Sequence, residues 1–339
     1  MPALSVFAHF DPHGDVAPHV LAHLDALAEV SGRLLIVTTA QLIPSARKQF
    51  EARGELIERA NEGYHFSSWK AGLDHAGDWT ALPDLLLAND SVVGPLVPYR
   101  QILTAAGDSA VGAHGPGSWG FWGITKDLEG GERLQSYLLG FSEVTLRNPL
   151  FAAFWRGLAP LPTRAEVTAR YERGIHRLLI AGGLRSHAYF VPTPREDAVG
   201  RHRRARYAFR EQLDVRREQL REHGVTRLGP AGMAREVRWE WRHRRISKPT
   251  RRFLSAGAIH DPMVSLWDRA LDGRLPFVKI STLREDPYRI GSERMLTALE
   301  QARPEAFGAL RDYLERTRLD QARPDGTSNQ LQPDRGVRA

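Results

Sequence analysis

An acidic residue, Asp90, follows the apolar run at residues 85–88 and is flanked by Asn89 and Ser91. A short apolar run bounded by turn-forming residues is typical of a strand that is covered on both faces. In open α/β sheets, ligands bind outside the carboxyl ends of the strands. A carboxylate at such an end could therefore hold a ligand, with an amide and a hydroxyl beside it. The same residues would also suit a simple turn ahead of the following Gly-Pro, and this stretch alone does not decide between the two.

Histidine and aspartate alternate after the first apolar run, in the stretch HFDPHGD, as His9, Asp11, His13 and Asp15. Such an alternation could ligate a metal through oxygen and imidazole groups. The stretch is faintly similar to the start of calcineurin-like phosphoesterases, but the further histidine clusters of that class are not found downstream. A solvated turn explains His13 and Asp15 equally well. We therefore take His9 and Asp11, which lie closer to the strand end, as the better site candidates.

A third candidate is the turn formed by Asn61, Glu62 and Gly63, which stands between a predicted strand and a predicted helix. Backbone amides at the start of a helix can approach the phosphates of a nucleotide. A lone Asn-x-Gly turn is a weak signal. In the helix that follows, Trp69 and Leu73 are one turn apart and are predicted to be core contacts.

These residues must be positioned by alternating strands and helices. The stretches ALSVFAHF, RLLIVTT, ELIERA and DLLLAND predict strands, and the segments between them predict helices, which indicates a parallel, doubly wound sheet over the first ~90 residues. The stretch GAHGPGSWGFWGIT is rich in glycine and aromatic residues, which predicts a strand entering a flexible, ligand-facing loop. Further strands are predicted in LQSYLLGFS, HAYFVP and LPFVKIS. Helices are predicted for DPMVSLWDRALDG, for residues 303–317, and for RAEVTARYERGIHRLLIAGG, whose apolar face would contain Val167, Tyr171, Ile175 and Leu178.

The 339 residues include no cysteine, which excludes disulfides, thiolate zinc sites and cysteine nucleophiles. No apolar run reaches the ~20 residues of a membrane span, and the start lacks the features of a secretory signal. We therefore expect a cytoplasmic protein. Residues 201–252 contain 17 Lys and Arg against 6 Asp and Glu, a balance of +11, whereas the rest of the chain sums to −4. The basicity therefore belongs to one segment.

This basic segment favours an anionic partner such as phosphate, an acidic membrane surface or nucleic acid. A solvated helix of mixed charge is an alternative interpretation and suits residues 201–223. Trp239 and Trp241, interleaved with arginines, are more typical of anchors at a membrane interface. A nucleic-acid-binding role lacks a recognisable motif.

The chain resembles the rhamnan synthesis protein F family, glycosyltransferase-like proteins of bacterial surface polysaccharide assembly. The stretches that carry the resemblance cover most of residues 4–290, and Asn-Asp-Ser and Gln-Ser-Tyr are the most specific of them. They are FAHFDPHGDV, ANEGYHFSSWKAGL, LLLANDSVVGPL, FWGIT, LQSYLLGFSEV, FAAFWRGL, YERGIHRLL and SLWDRALDGRLPFVKISTLREDPYRI. The chain departs from the family pattern at His65, where an aspartate is usual, and at Arg133, where a histidine is expected.

The resemblance implies an α/β, Rossmann-like nucleotide-sugar transferase fold (GT-A-like) with C-terminal helical additions. Asp90 would hold Mg²⁺ or Mn²⁺ against the two phosphates of the donor, because hard cations prefer oxygen ligands. Asn89 and Ser91 would orient that carboxylate or touch the sugar. His9, Asp11, Asn61 and Gly63 would line the nucleoside end, on the expectation that their strands lie beside the Asp90 strand.

The resemblance also implies a substrate-binding role for three residues and a catalytic role for a fourth. Gln135, Ser136 and Trp122 lie in the family's motifs and would contact substrate. Glu172 lies at the family's Tyr-Glu motif and would be the general base that takes the proton of the acceptor hydroxyl. His176, one helical turn later, could orient Glu172 or replace it, and a solvated helix glutamate is the simpler alternative.

The implied function is transfer of a deoxyhexose, such as rhamnose, from a nucleoside diphosphate sugar to a lipid-linked or growing polysaccharide acceptor. The alternatives are a metal-dependent phosphoesterase and a nucleic-acid-binding protein, although no nucleic acid is expected as a partner. The basic segment would place the enzyme peripherally at the inner face of the bacterial membrane. The expected organisation is a catalytic domain at 1–195, the basic segment at 196–260, a C-terminal helical part packed on the catalytic domain at 261–318, and a disordered tail at 319–339.

Overall fold

The protein is described from a computed structural model. The structure describes residues 2–114, 120–127, 132–207, 260–286 and 290–321, and of residues 107–114 and 318–321 it describes only the backbone. Most of the predicted basic segment and the predicted tail therefore lie outside the described residues.

A seven-stranded sheet forms the centre of the described fold, in the order β10-β6-β9-β4-β1-β2-β3. Two further pairs of short strands, β5 with β11 and β7 with β8, lie beside it. The strands are β1 (Leu4–His9), β2 (Leu34–Thr38), β3 (Glu55–Glu58), β4 (Asp84–Asn89), β5 (Val92–Val93), β6 (Phe121–Gly123), β7 (Lys126–Asp127), β8 (Arg133–Leu134), β9 (Leu138–Ser142), β10 (Ser186–Ala188) and β11 (Val278–Lys279).

The strands of the sheet are parallel except for β9, which runs antiparallel to both β4 and β6. The chain proceeds outward from β1 to β2 and β3, then returns to place β4 on the other side of β1. The order therefore reverses between β1 and β4, and in open α/β sheets such a reversal opens a crevice for ligands at the carboxyl ends. The predicted Rossmann-like α/β fold is confirmed.

Helices cover both faces of this sheet. They are α1 (Pro18–Ala28), α2 (Pro44–Glu51), α3 (Tyr64–Ala76), α4 (Tyr99–His114), α5 (Glu143–Leu146), α6 (Pro149–Arg156), α7 (Arg164–Val167), α8 (Arg173–Ala181), α9 (194–207), α10 (Pro262–Ser265), α11 (Ile280–Arg284), α12 (Ser292–Ala302), α13 (Pro304–Phe307) and α14 (Leu310–Gln321). None of the helices in these ranges has the length and hydropathy needed to cross a bilayer.

Alternate side chains of each central strand enter two separate apolar cores, as the two-residue period of a strand requires. Phe7 of β1 packs with α1, α4 and the C-terminal helices, whereas its neighbours Val6 and Ala8 pack with α3, α6 and α8. Trp69 and Leu73 lie in the second core, which confirms their predicted role. Helices from residues 280–314 share the first core with α1.

The C-terminal part is joined to the sheet immediately after Asp90. Val278 and Lys279 of β11 pair antiparallel with Val93 and Val92 of β5. The backbone N–H of Ile280 then donates to the carbonyl of Ser91 at 3.0 Å. Helix α11 therefore begins at the end of β4 that carries the candidate carboxylate.

Several predicted elements differ from the structure. Only His187 and Ala188 of HAYFVP lie in a strand. The helix predicted for residues 261–273 is two short pieces, α10 and a 3₁₀ turn at Trp267–Ala270, because Leu266 leaves the helical conformation. Only two residues of LPFVKIS form a strand before α11 begins. The terminal helix is divided into α13 and α14, and α12 was not predicted.

A further difference concerns the helical run from α7 to α8, which contains a π-helical turn at Thr168–Glu172. A π turn adds one residue to the helix, so positions after it are shifted around the axis. Tyr171 and Ile175 are buried as predicted, but the next buried residue on this face is Leu179, four positions after Ile175, and not Leu178.

Candidate functional site

The carboxyl ends of β1 and β4 meet at the reversal of the strand order. Ala8 of β1 is in register with Asn89 of β4, so the residues that follow each strand are neighbours. The backbone N–H of Phe10 donates to the Asp90 carboxylate at 2.7 Å, and the Asp90 N–H donates to the Ala8 carbonyl at 3.3 Å. We call this region, with Asp11 and Asp90 at its centre, the strand-end crevice.

Asp11 organises the turn that follows β1. One of its carboxylate oxygens accepts hydrogen bonds from the backbone N–H groups of His13 at 2.8 Å and Asp15 at 3.3 Å. Gly14 in this turn has a φ of +69°, and a Cβ there would lie 1.8 Å from the Gln41 carbonyl. The turn thus needs glycine and holds Asp11 in a buried position.

The negative charges of Asp11 and Asp90 are not fully compensated by positive charge nearby. Burial raises the pKa of Asp90 to about 7, and the Asp11 charge adds to this, whereas the Phe10 hydrogen bond and Arg284 oppose it. Burial also raises the pKa of Asp11, against the effect of the turn amides. A cation placed between them would remove this electrostatic penalty.

The crevice alone does not form a complete metal centre. No group of three or more histidine, aspartate or glutamate residues in the described ranges is arranged to hold an ion. Mg²⁺ is typically held by one or two carboxylates, several waters and the phosphates of the substrate. Asp90 and Asp11 fit such a site, in which the donor would supply the remaining ligands.

His9 does not take part in this arrangement in the way that was predicted. Its Nδ1 is 3.0 Å from the Thr38 hydroxyl on β2, and its ring packs edge-on against Phe50. Burial, with a smaller effect of His19, lowers the pKa of His9 to about 3, so the ring is neutral at physiological pH. This is the environment of a core histidine, and it does not support a role in donor binding.

Asn89 and Ser91 connect the end of β4 to the loop before β9. The Asn89 side-chain oxygen accepts from the Ser91 N–H at 3.0 Å and from its hydroxyl at 2.5 Å, and the Asn89 amide donates to the Ser136 carbonyl at 3.2 Å. Because the Asn89 side chain is engaged within the protein, it is placed to position Asp90 rather than to touch a ligand.

Glu172 lies in a second cluster, on the other side of Ser136, which we call the Glu172 cluster. Its carboxylate is 2.6 Å from Arg133 and accepts a hydrogen bond from the Ser136 hydroxyl at 2.9 Å, and His65 is 3.8 Å away. Arg133 also pairs with Asp127 at 2.7 Å. Burial raises the pKa of Glu172, but the charges of Arg133 and His65 and the Ser136 hydrogen bond outweigh it and lower the pKa.

Both positions at which the chain departs from the family pattern, His65 and Arg133, thus contact Glu172. The resulting carboxylate is ionised, paired and a weak proton acceptor. This state does not favour Glu172 as the general base, a role that remains a prediction. His176 lines a cavity of about 10 Å³ together with Glu172, and burial lowers the pKa of His176 to about 4. That volume suits roughly one water molecule.

Gln135 lies in a polar cluster that sequence reasoning missed. Its amide donates to the Asp261 carboxylate at 2.7 Å, and Lys279 is 2.5 Å from the same carboxylate. The side-chain oxygen of Gln135 is buried without a hydrogen-bond partner. An unpaired buried acceptor next to Ser136 is compatible with the predicted substrate contact, which stays a prediction.

The remaining predicted residues lie elsewhere. Trp122 is 3% exposed in the first core, and its ring occupies the space that a Cβ at Gly140 would fill, so a substrate contact does not fit. Asn61 and Gly63 follow β3, which is separated from β4 by β1 and β2, so the predicted adjacency to the Asp90 strand is wrong. At the usual spacing of strands this is roughly 14 Å.

Comparison with known proteins gives one family and two structural likenesses. The profile of "Rhamnan synthesis protein F" matches residues 34–213, more than half of the chain. A CMP-2-keto-3-deoxy-manno-octonic acid synthetase in complex with CTP is similar at 10% identity, a TM-score of 0.33, and coverage of 56% of this chain and 90% of that chain.

A glycosyltransferase involved in glycosylation of the major capsid of PBCV-1 is similar at 11% identity and a TM-score of 0.29, over 56% of this chain and 84% of that chain. Likenesses of this extent do not assign a function. No curated protein sequence matches. The profile match agrees with the motifs that carry the resemblance, and the chain therefore belongs to the rhamnan synthesis protein F family.

Proposed function

We propose that the protein is a glycosyltransferase whose nucleoside diphosphate sugar binds in the strand-end crevice. The observation that carries this proposal is the meeting of two undercompensated carboxylates, Asp11 and Asp90, at the reversal of the strand order. This is where α/β folds bind nucleotides. Membership of a glycosyltransferase-like family supports the same assignment.

In this proposal Asp90 holds Mg²⁺ or Mn²⁺, with Asp11 as a second carboxylate. A divalent cation bound there would neutralise the charge that develops on the departing diphosphate. Asn89 holds the Asp90 backbone in place through Ser91 and Ser136, and the β1 backbone fixes the Asp90 carboxylate by the Phe10 N–H.

We further propose that the donor carries a deoxyhexose such as rhamnose and that the acceptor is a lipid-linked or growing polysaccharide. Both of these identities rest on the family alone. Peripheral contact with the inner membrane surface would come from Trp239, Trp241 and their neighbouring arginines. These residues lie outside the part of the chain that the structure describes.

The alternative of a metal-dependent phosphoesterase is less well supported. It would use His9, Asp11 and Asp90 as ligands, but the Nδ1 atom of His9 is bonded to Thr38 on the neighbouring strand. A two-metal enzyme also needs more ligands than the two carboxylates of the crevice.

Thermal denaturation with UDP, dTDP, GDP and CDP, each with Mn²⁺ or with EDTA, tests the proposal. A ligand at 100 times its dissociation constant stabilises by about 2.7 kcal/mol. We expect at least one diphosphate to raise the Tm in a manner that requires Mn²⁺. The proposal would be wrong if none of them changed the Tm, or if the enzyme hydrolysed phosphate esters but transferred no sugar from the matching nucleotide sugars.

A further inference from the structure

A groove of about 510 Å³ lies beside α4, and its described lining residues differ from those of the strand-end crevice and the Glu172 cluster. They come from three segments of the chain: Val97, Gln101 and Ala105 before and on α4, residues 189–191 after β10, and the turn at 272–274. Clefts that bind small molecules typically have volumes of ~300–1,000 Å³. This groove, which we call the α4 groove, is therefore large enough for a ligand.

The α4 groove lies at the same edge of the sheet as the strand-end crevice. The backbone N–H groups of Tyr189 and Phe190 donate to the carbonyls at the end of β6, at 2.9 and 2.8 Å, which continues the pairing of β10 with β6. Both strands run parallel to β4, because β9 is antiparallel to β4 and to β6. Their carboxyl ends therefore face the same way as Asp90, and β10 is three strands from β4, roughly 14 Å away.

The turn at 272–274 also connects the α4 groove to the crevice. The chain continues from this turn into β11, which pairs with β5, and β5 begins two residues after Asp90. Gly273 has a φ of +76°, and a Cβ there would lie 3.1 Å from a Val97 methyl group. Glycine therefore allows this turn to pack closely against the segment that precedes α4.

The surface of the α4 groove combines apolar and polar groups. The rings of Tyr189 and Phe190 and the side chain of Val191, which is 65% exposed, supply apolar area. The Tyr189 hydroxyl and the Gln101 amide have no hydrogen-bond partner in the part of the chain that the structure describes. Each of these groups can both donate and accept a hydrogen bond. The combination suits a sugar, whose C–H faces are apolar and whose hydroxyls also donate and accept.

The charged residues of this lining are already paired. Arg274 donates two hydrogen bonds to Glu196 of α9, at 2.5 and 3.1 Å, and its guanidinium lies 5.6 Å from the centre of the Phe190 ring. Asp272 accepts a hydrogen bond from the Arg274 N–H at 3.1 Å and is 3.3 Å from the Arg269 guanidinium. Because these charges are compensated within the protein, the α4 groove suits an uncharged ligand better than an ion.

We propose that the α4 groove binds an uncharged saccharide chain of the acceptor. The inference rests on the proposed function and adds an acceptor subsite to the donor site. The donor would occupy the ends of β1 and β4, and a chain of a few sugar residues would approach them from the ends of β6 and β10. Ion pairs that fix the wall before binding lower the entropic cost of ordering it.

NMR titration with uncharged trisaccharides of rhamnose, fucose, glucose, mannose and galactose tests the inference. Gln101→Trp places a large side chain in the α4 groove and should weaken binding of the preferred trisaccharide by at least ~10-fold. Tyr189→Phe removes only a hydroxyl and should weaken it by about 2- to 10-fold, the usual value of a neutral hydrogen bond. The control is Arg100→Trp, since Arg100 is an exposed neighbour on α4 that does not line the groove.

The same variants separate this inference from the proposed function. Both groove variants should bind the preferred nucleoside diphosphate with Mn²⁺ within about threefold of the wild-type affinity. If the wild-type protein bound a diphosphate but no trisaccharide, the proposed function would stand and the acceptor subsite would be overturned. If a trisaccharide bound in the groove but no diphosphate bound, the proposed function would fail and the saccharide site would stand.

Two further results would overturn the inference. One is equal affinity of Gln101→Trp, Tyr189→Phe and Arg100→Trp for the trisaccharide, because the saccharide would then bind elsewhere. The other is binding of farnesyl diphosphate that Gln101→Trp weakens, without binding of any trisaccharide. The α4 groove would then hold a lipid chain in place of a saccharide.

Discussion

The strand-end crevice and the Glu172 cluster both contain buried carboxylates, but their charges are balanced differently. In the Glu172 cluster, Arg133 lies between Asp127 and Glu172, and the pKa of Glu172 is lowered. In the crevice, burial raises the pKa values of both Asp11 and Asp90. The charge of Asp11 raises the pKa of Asp90 further, and Arg284 opposes this increase only in part.

This difference in charge balance indicates which of the two regions would be stabilised by binding a cation. A carboxylate that is already paired has little to gain from a cation, whereas one with a raised pKa gains the electrostatic stabilisation that the protein does not supply. Perturbed carboxylates in a cleft are candidates for function, although structural ion pairs perturb pKa values as well. We therefore propose the crevice, rather than the Glu172 cluster, as the ligand-binding region.

The largest expected effect is that of Asp90→Asn, which removes the charge at the centre of the crevice. Sugar transfer should fall by at least ~100-fold, because electrostatic stabilisation of the leaving diphosphate is worth several kcal/mol. A transfer assay with the preferred nucleotide sugar measures this. Circular dichroism should show an intact fold, and normal turnover of the variant would remove Asp90 from the mechanism.

Glu172→Gln tests the other region. The variant breaks a buried ion pair, but Arg133 keeps Asp127 as its partner, so we expect a loss of stability near the lower end of the usual range, about 3 kcal/mol. Transfer measured well below the Tm should fall by less than about tenfold. A general base is worth ~10²- to 10⁴-fold, so a loss of that size with unchanged donor binding would restore Glu172 as the base.

In protein freed of metal, the dependence of the unfolding free energy on pH should differ between the carboxylates of Asp90 and Glu172. The pKa of Asp90 is raised from 3.8 to about 7, so between these values the folded state binds more protons than the unfolded state. The free energy of unfolding contributed by this group therefore falls as the pH rises from about 4 to about 7.

Urea denaturation at several pH values would measure this slope, and Asp90→Asn should flatten it. Because Mn²⁺ binds the ionised carboxylate, its affinity for the wild-type protein should rise over the same pH range. An Mn²⁺ affinity that did not change with pH would contradict the raised pKa. Glu172, whose pKa is lowered, should contribute stability that is lost only at acidic pH.

The smallest effects concern two asparagines that were both predicted to bind the donor. Asn89→Ala should destabilise the protein by about 2 kcal/mol, because it leaves buried partners without hydrogen bonds. Asn61→Ala, at an exposed position after β3, should change stability by less than about 0.5 kcal/mol. Chemical denaturation measures the stability of both variants. Calorimetric titration measures their donor affinity, and a clear loss of affinity in Asn61→Ala would show that Asn61 contributes to donor binding after all.

Local features of the sequence were sufficient for the central strands and for the crevice. The apolar runs of β1, β2 and β4 predict strands because each is buried on both faces, and Asn-Asp-Ser marks the end at which a ligand could bind. The family motifs likewise indicated that Asn89 and Ser136 matter, although not that they are bonded to each other.

The residues that sequence reasoning missed depend on contacts between distant parts of the chain. The effect of the Arg284 charge on Asp90, and the hydrogen bond from Gln135 to Asp261, both depend on the pairing of the C-terminal part with β5. The π turn before α8 has no periodic signal in the sequence. Trp122 was misplaced because its glycine-rich surroundings resemble a ligand-binding loop, whereas Gly140 makes room for its ring in the core.

The most direct test of this account is anomalous diffraction at the manganese edge from crystals grown with Mn²⁺ and the nucleoside diphosphate that binds most tightly. We predict an Mn²⁺ peak roughly 2 Å from a carboxylate oxygen of Asp90, with the diphosphate on the same ion. A peak at Glu172 and Asp127, or a diphosphate bound away from the ends of β1 and β4, would contradict the assignment of the donor site to the crevice.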